Sequence, residues 1–351
     1  MAGIETPASI RPMLKAADEI QRTLLVDEVI RVAEIAAPTF KEQRRAEYVL
    51  SQFAQAGLAV RQDSAGNAIG VLKGTSDLAP LLMTAHMDTV FGDEVDVTPS
   101  VSGDYLLGPG VRDNSAAVAS LIQFARLAQR TRWRPARDII LAGTVGEEGL
   151  GNLRGIKQLV ADMGSGLSAA LIIDGYLGSI THIGVGSRRF RISVTAKGGH
   201  SWQDYGQPSA THALGSIIHR LAELKLPREP RCSLNVGTIS GGSGVNVIAD
   251  KATLSLDLRS VSEEELARLE RQVRDIVDRV TSEAGVSAEI ALMGERPAGS
   301  IPADHPFVRA AERVLQNLGI EATLGDGSTE ANLPASVGIQ ALAVGSATGN
   351  G

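Results

Sequence analysis

One cysteine, Cys232, stands alone in 351 residues. It has no partner for an internal disulfide, and it excludes a metal site built on several thiolates. Aromatic residues are scarce at 3%, so the cores must be assembled from Leu, Ile, Val and Ala. A basic excess is missing as well. The net charge is −6, and no Lys/Arg run with interleaved aromatics is present to track a phosphate backbone, which argues against a nucleic-acid partner. No apolar run reaches the length of a membrane span, and the first thirty residues lack a signal peptide's apolar core. The expectation is a cytoplasmic protein without a membrane partner.

What remains is ordinary globular composition, with 43% hydrophobic and 21% charged residues. The length suggests two domains. The 38 glycines suggest many tight turns.

Residues 1–60 read as helical, with Leu25, Val26, Val29, Ile30, Val32 and Ile35 at helical spacing, an interruption at Pro38, and a second run over 41–55. Buried-type strands follow at 67–72, 80–85, 138–144 and 169–173, with helices at 115–128 and 156–162 between them. Apolar strands alternating with helices imply a doubly wound α/β layer. After Gly184 the texture changes. Phe190, Ile192, Val194 and Ala196 alternate with Arg189, Arg191, Ser193 and Thr195, the pattern of a half-exposed antiparallel strand. Helix 209–224, strands 233–239 and 252–258, helix 263–283 and strand 287–292 complete a β-α-β-β-α-β order, which is ferredoxin-like. The fold class expected is therefore α/β, a doubly wound mixed-sheet catalytic domain with an inserted ferredoxin-like α+β domain. The boundaries expected are 1–185, 186–295 and 296–351, the last beginning with a helix at 305–318 and a strand at 340–344.

Ionisable residues collect where apolar strands end. His86 and Asp88 follow Leu81-Leu82-Met83-Thr84-Ala85. Residues two apart leave a strand on one face, and at the carboxyl end of a parallel strand that face opens on the ligand crevice. Asp88 could fix the His86 ring through its far nitrogen; the plainer reading is a capped turn. Glu147 and Glu148 follow Ile139–Thr144. Adjacent carboxylates repel unless a cation or a shared proton relieves them, and one could bind a metal while its neighbour acts as a base. The alternative is a solvated acidic turn. Asp174 ends Leu171-Ile172-Ile173, where a turn aspartate is also expected. Asp113 precedes an Ala-rich helix, the usual place of an N-cap. Singly these signals are weak, but three apolar strands ending in metal-ligand types make a strong joint signal.

The segments LLMTAHMDTVF, GPGVRDNSAAVA, TVGEEGLGNLRG and LIIDG resemble the dizinc metallopeptidase family of peptidase T, carboxypeptidase G, aminoacylase and succinyl-diaminopimelate desuccinylase, in order along almost the whole chain. The resemblance implies a role for each residue. His86 binds the first zinc and Asp88 orients it. Asp113 bridges both metals, Glu147 is the general base, Glu148 binds the second zinc, and Asp174 completes the first. An Asp at that last position looks more like the peptidase T branch. The inserted segment resembles the family's lid or dimerisation domain and implies a homodimer. Lys197-Gly-Gly-His200 is similar to the motif whose histidine stabilises the oxyanion. Asn246 and Arg259 resemble residues that hold a substrate carboxylate. Gly325–Asn332, with Ser328 and Thr329, resembles a pocket-lining glycine-rich loop.

The implied activity is hydrolysis of small peptides by an aminopeptidase of tripeptidase type, with two zinc ions, or cobalt or manganese in their place. An N-acyl or N-carbamoyl amino acid amidohydrolase is the alternative, and an inactive dimerising homologue a third reading. The family's final histidine ligand has no match. His182, His212, His219 and His305 lie in other contexts. The expectation is a second metal site incomplete within these residues, and a C-terminal part that is truncated.

Overall fold

A computed structural model describes residues 11–18 and 22–349. Residues 1–10 and 19–21 of the expected N-terminal helical stretch lie outside the described residues. The chain divides into two compact units, Met1–Ile183 with Ser300–Gly351, and Gly184–Gly299.

The first unit is built on a mixed sheet of nine strands among the described residues. In chain order its strands are β1 (Ala59–Gln62), β2 (Ala68–Leu72), β3 (Leu81–His86), β4 (Ile139–Thr144), β5 (Ala169–Leu177) and β6 (Ser179–Gly184). Strands β7 to β10 belong to the second unit. They are Gly186–Thr195, Cys232–Gly241, Lys251–Ser260 and Ser287–Arg296, and β11 (Gly299–Ser300), β12 (Thr323–Gly327) and β13 (Ala341–Gly345) return to the first sheet. The spatial order is β1-β2-β4-β3-β5-β13-β6-β11, with β12 also on β6. The four central strands run parallel, and the flanking β2 and β6 are antiparallel to them. Parallel neighbours bring the carboxyl ends of β3, β4 and β5 to one edge.

The helices are α1 (Arg11–Asp18), α2 (Arg22–Glu34), α3 (Gln43–Gln55), α4 (Ala116–Thr131), α5 (Arg154–Met163), α6 (Ala210–Ala222), α7 (Glu263–Ala284), α8 (Pro306–Asn317) and α9 (Asn332–Ser336). Alternation along the strands explains why both faces of the first sheet are covered. Met83, Ala85 and Leu141 pack with Val32, Val49, Phe53 and Ile122 of α2, α3 and α4. Their neighbours Leu82 and Ala142 face the other way, onto Ile156 and Leu159 of α5. Each large aliphatic side chain taken fully from water contributes about 1.5–3 kcal/mol. Leu and Ile therefore supply, by number, what the few aromatics cannot.

The second unit has strand order β8-β9-β7-β10, the ferredoxin-like arrangement. Phe190, Ile192 and Val194 meet Leu254, Leu256 and Leu258 beneath α6 and α7. Helix α7 starts where Ser262 Oγ accepts the Glu265 amide at 3.3 Å and stops at Gly285 with φ 65°.

Several elements differ from the sequence expectations. Residues 59–62 form β1 rather than extending a helix, because they pair with β2. Strands β6 and β12 have no strong sequence signal. The first three residues of the expected glycine-rich loop, Gly325 to Gly327, are strand, and the turn proper is confined to the residues before α9.

Candidate metal centre

Four strand or loop ends of the first unit converge. His86 is the last residue of β3 and pairs with Thr144, the last of β4. Glu147 and Glu148 lie just beyond, and Asp174 lies near the end of β5. Asp113 has extended geometry (φ −117°, ψ 90°) before α4, whose N-cap is Ser115. The plain N-cap reading of Asp113 therefore does not hold. Ligand-type atoms of His86, Asp113 and Asp174 lie within 4.8 Å of one another, and so do those of His86, Glu147 and Glu148. Asp113 and Glu148, which the resemblance pairs on a second ion, do not fall in one group. Asp113 turns instead to the cationic groups beside it. His86 Nε2 is 3.0 Å from its Oδ1, and Arg112 Nη2 is 3.3 Å from its Oδ2. Arg112 lies over the ring of Tyr176, 4.3 Å from its centroid.

The loop after β4 is held by side chains rather than by other strands. The Val145 amide donates to Asn67 Oδ1 at 3.1 Å and the Gly146 amide to Glu42 Oε1 at 3.1 Å. The Glu147 and Glu148 amides donate to Asp88 Oδ1 and Oδ2, both at 2.9 Å. Four consecutive N–H groups are thus satisfied by side-chain acceptors, and the loop's backbone position is set. Glu42 is itself held by Arg154 Nη2 at 2.6 Å. Asp88 also accepts from Thr39 Oγ1 at 2.9 Å.

This changes the part Asp88 plays. His86 Nδ1 is 3.0 Å from the Asp88 main-chain carbonyl and 3.7 Å from its carboxylate. The carbonyl therefore orients the ring, with Nδ1 as donor and Nε2 turned to the cluster. The carboxylate works chiefly on the Glu147–Glu148 backbone. Below it, Arg45, 1% exposed, donates to the Met87 carbonyl at 2.7 Å and the Ile35 carbonyl at 2.6 Å, fixing the turn between His86 and Asp88 from beneath. Sequence reasoning missed Thr39, Glu42, Arg45 and Asn67.

The electrostatics follow from burial among like charges. Burial pushes Asp88 upward, but His86 and the two amides outweigh it and hold the carboxyl at about 2. Burial, then Glu147, pushes Glu148 up to about 7. Burial also raises Asp174, with Asp113 adding to it, while the close approach of the His86 ring lowers Asp113. Burial opposes protonation of His86, yet its contacts with Asp113 and Asp88 raise it well above its ordinary value. The Asp113 Oδ1 atom is buried and makes no well-directed hydrogen bond. One imidazole and several crowded carboxylates with an orphaned oxygen fit a divalent cation of the zinc, cobalt or manganese type.

A pH prediction follows for the metal-free protein. A Glu raised from 4.5 to about 7 binds its proton more tightly folded than unfolded. Its stabilising effect is full below 4.5 and is lost as pH rises through 7. Metal-free protein should therefore melt at a lower temperature at pH 8 than at pH 6. Added zinc should raise the melting temperature most at pH 8, where no proton must leave. Thermal melts with and without zinc at both values check this; the opposite order contradicts it.

The second unit brings together two of the sequence candidates. His200 pairs with Val247 across a short ladder, and Ser201 N donates to the Asn246 carbonyl at 3.0 Å. The Trp202 and Gln203 amides donate to His200 Nδ1 at 3.2 and 3.4 Å, which leaves the ring proton on Nε2. Arg259 Nε donates to Asp257 Oδ2 at 2.7 Å. In the first unit, Thr329 accepts the Ala331 amide through Oγ1 at 3.2 Å; Ser328 is half-buried beside it. Of the remaining histidines, His182 faces the Ile301 carbonyl, His305 caps α8, and His212 and His219 are exposed on α6. Among the described residues, His86 is the one histidine in either ligand group.

Known proteins match this description. Residues 67–187 match the peptidase family M28 model, and residues 185–284 match the M20 peptidase dimerisation domain. The chain is similar in fold to a tripeptidase from Staphylococcus aureus (TM-score 0.80, 23% identity, 93% of this chain and 90% of that one). It is similar to aminopeptidase PepT from Bacillus cereus (TM-score 0.78, 23% identity, 93% and 90%). It also resembles YXEP from Bacillus subtilis, described as a dinuclear metal-binding peptidase of the M20 family (TM-score 0.67, 18% identity, 92% and 88%). At these identities the likeness is one of fold.

Fold, ligand groups and matched domains together define a hydrolytic enzyme of the metallo-exopeptidase and amidohydrolase class. The two matched models are both peptidase models, in line with the metallopeptidase family that the motifs resemble. No helix among the described residues is long and apolar enough to cross a membrane.

Proposed function

We propose that the chain is a zinc-dependent aminopeptidase acting on small peptides, with two zinc ions in the active form. The observation that carries this reading is the pair of ligand groups sharing His86, with Glu147 and Glu148 on a loop whose amides are held by the Asp88 carboxylate. His86, Asp113 and Asp174 would hold the first ion, and Glu148 with Asp113 the second. Bound zinc supplies positive charge that acidifies water and polarises a carbonyl. Glu147 takes a proton from the attacking water as its oxygen bonds to the amide carbon. It returns that proton to the nitrogen as the C–N bond breaks, giving an amine and a carboxylic acid whose remaining proton passes to solvent or to the amine. The motif resemblance gives His200, with its proton on Nε2, the part of donor to a developing oxyanion. Asn246 and Arg259 hold the substrate carboxylate, Arg259 steadied by Asp257, and Ser328 and Thr329 line the pocket. The matched dimerisation domain supports a homodimer.

A substrate panel tests the reading. Zinc-loaded enzyme should cleave unblocked tripeptides and leave the same peptides intact once N-acetylated, because an aminopeptidase needs the free amine. Preferential turnover of N-acetyl or N-carbamoyl amino acids would replace it with an amidohydrolase of the same fold.

A further inference from the structure

Glu330 lies in the glycine-rich segment yet faces away from any surface. It is 1% exposed. Its Oε2 accepts from the Thr84 hydroxyl at 2.7 Å, across 246 positions of sequence. Thr84 stands two residues before His86 on β3 and so shares its face of the strand. Thr144, which pairs with His86 across the parallel ladder, also acts on the Glu330 carboxyl. The Thr144 hydroxyl and Glu330 Oε1 are both buried and form no well-directed hydrogen bond. Glu330 thus sits between the two strands that carry His86 and lead into Glu147.

Its chain neighbours bond among themselves. Thr329 N donates to Asn332 Oδ1 at 3.1 Å, and Ala331 N donates to Thr329 Oγ1 at 3.2 Å. The Ser328–Thr329 turn is therefore stiff within itself, and Glu330 is its link to the sheet. Burial is the largest influence on this carboxyl and raises it to about 7. The Thr84 and Thr144 hydroxyls pull it the other way, so the carboxyl oxygens serve this place as acceptors between the two strands.

We infer that Glu330 is a positioning residue that locks the Ser328–Thr329 turn onto the strands bearing His86 and leading to Glu147, so that one buried side chain sets both metal-ligand geometry and substrate contact. The inference rests on the proposed metal site.

The test compares wild type, E330A, E330Q and T84V for zinc affinity, by competition with a chromophoric chelator, and for KM and kcat on a tripeptide. Wild-type zinc binding and turnover decide the proposed function by themselves; the variants, measured relative to it, decide the role of Glu330. E330A is expected to weaken zinc binding by about 10–100-fold, as loss of a supporting partner does, and to raise KM. E330Q, which keeps an acceptor and a donor, is expected to stay within about threefold of wild type on both measures. T84V should shift both in the direction of E330A, and it carries the test if E330A does not fold. The inference is overturned if E330A and T84V match wild type in zinc affinity and KM, if they alter only melting temperature, or if E330Q is as impaired as E330A.

Discussion

Replacing Glu147 by Ala is expected to lower kcat by roughly 10²–10⁴-fold, the usual worth of a positioned general base, while the protein still binds zinc. Glu147 is 6% exposed and groups with His86 and Glu148, so geometry alone admits it as a ligand or as a base. The two roles separate cleanly. A ligand lost would release metal; a base lost would leave the metal in place and slow the chemistry. Metal content by mass spectrometry, measured beside single-turnover rates, distinguishes them. Retained turnover, or a fall in bound zinc that matches the fall in rate, contradicts the assignment.

The second large effect is expected at Asp88. Its carboxylate accepts two consecutive amides and the Thr39 hydroxyl. Asp88→Ala leaves those amides without their acceptor at a buried site, at about 1–3 kcal/mol for each unmet group. The combined loss is a large part of the roughly 5–15 kcal/mol that a typical domain has. It also frees the loop that aims Glu147 and Glu148. The variant should unfold at clearly lower denaturant, bind zinc more weakly and lose most activity. Because the folded carboxyl is held at about 2, below its ordinary 3.8, its contribution is present above 3.8 and is lost as pH falls through 2. The gap between wild type and Asp88→Ala should therefore be flat from pH 5 upward with respect to this group. An Asp88→Ala protein with wild-type midpoint and zinc affinity would show that the loop is held by something else.

Much of the candidate centre was legible because its ligand-type residues are punctuation. His86, Glu147–Glu148 and Asp174 each interrupt a run of apolar residues at a strand end, and parallel strands bring such ends together without further instruction. The division between sheets was legible too, since Phe190, Ile192 and Val194 alternate whereas Leu81–Ala85 do not. What could not be read was the support. Asn67 meets Val145 across 78 positions, Glu42 meets Gly146 across 104, and Glu330 meets Thr84 across 246. These residues look like ordinary polar residues of a loop or helix start, and only the closed fold gives them partners. The part of Asp88 shows the same limit. Spacing from His86 suggested a side-chain contact, but the strand end bends so that the main-chain carbonyl meets the ring. The carboxylate then serves a loop sixty residues away. Strand β12 was not legible because a short strand paired to one neighbour gains its structure from that neighbour rather than from its own pattern.

The central claim is that this chain hydrolyses amides through a metal held by His86 and the carboxylates around it. The most direct measurement is a zinc titration of chelator-stripped protein, recording tripeptide hydrolysis against bound zinc for wild type and His86→Ala. The expected result is an inactive stripped protein whose turnover returns in proportion to bound zinc, and a His86→Ala protein that neither binds tightly nor recovers. Hydrolysis that is undiminished in the stripped protein, or recovery of His86→Ala to wild-type turnover at the same zinc, would contradict the account.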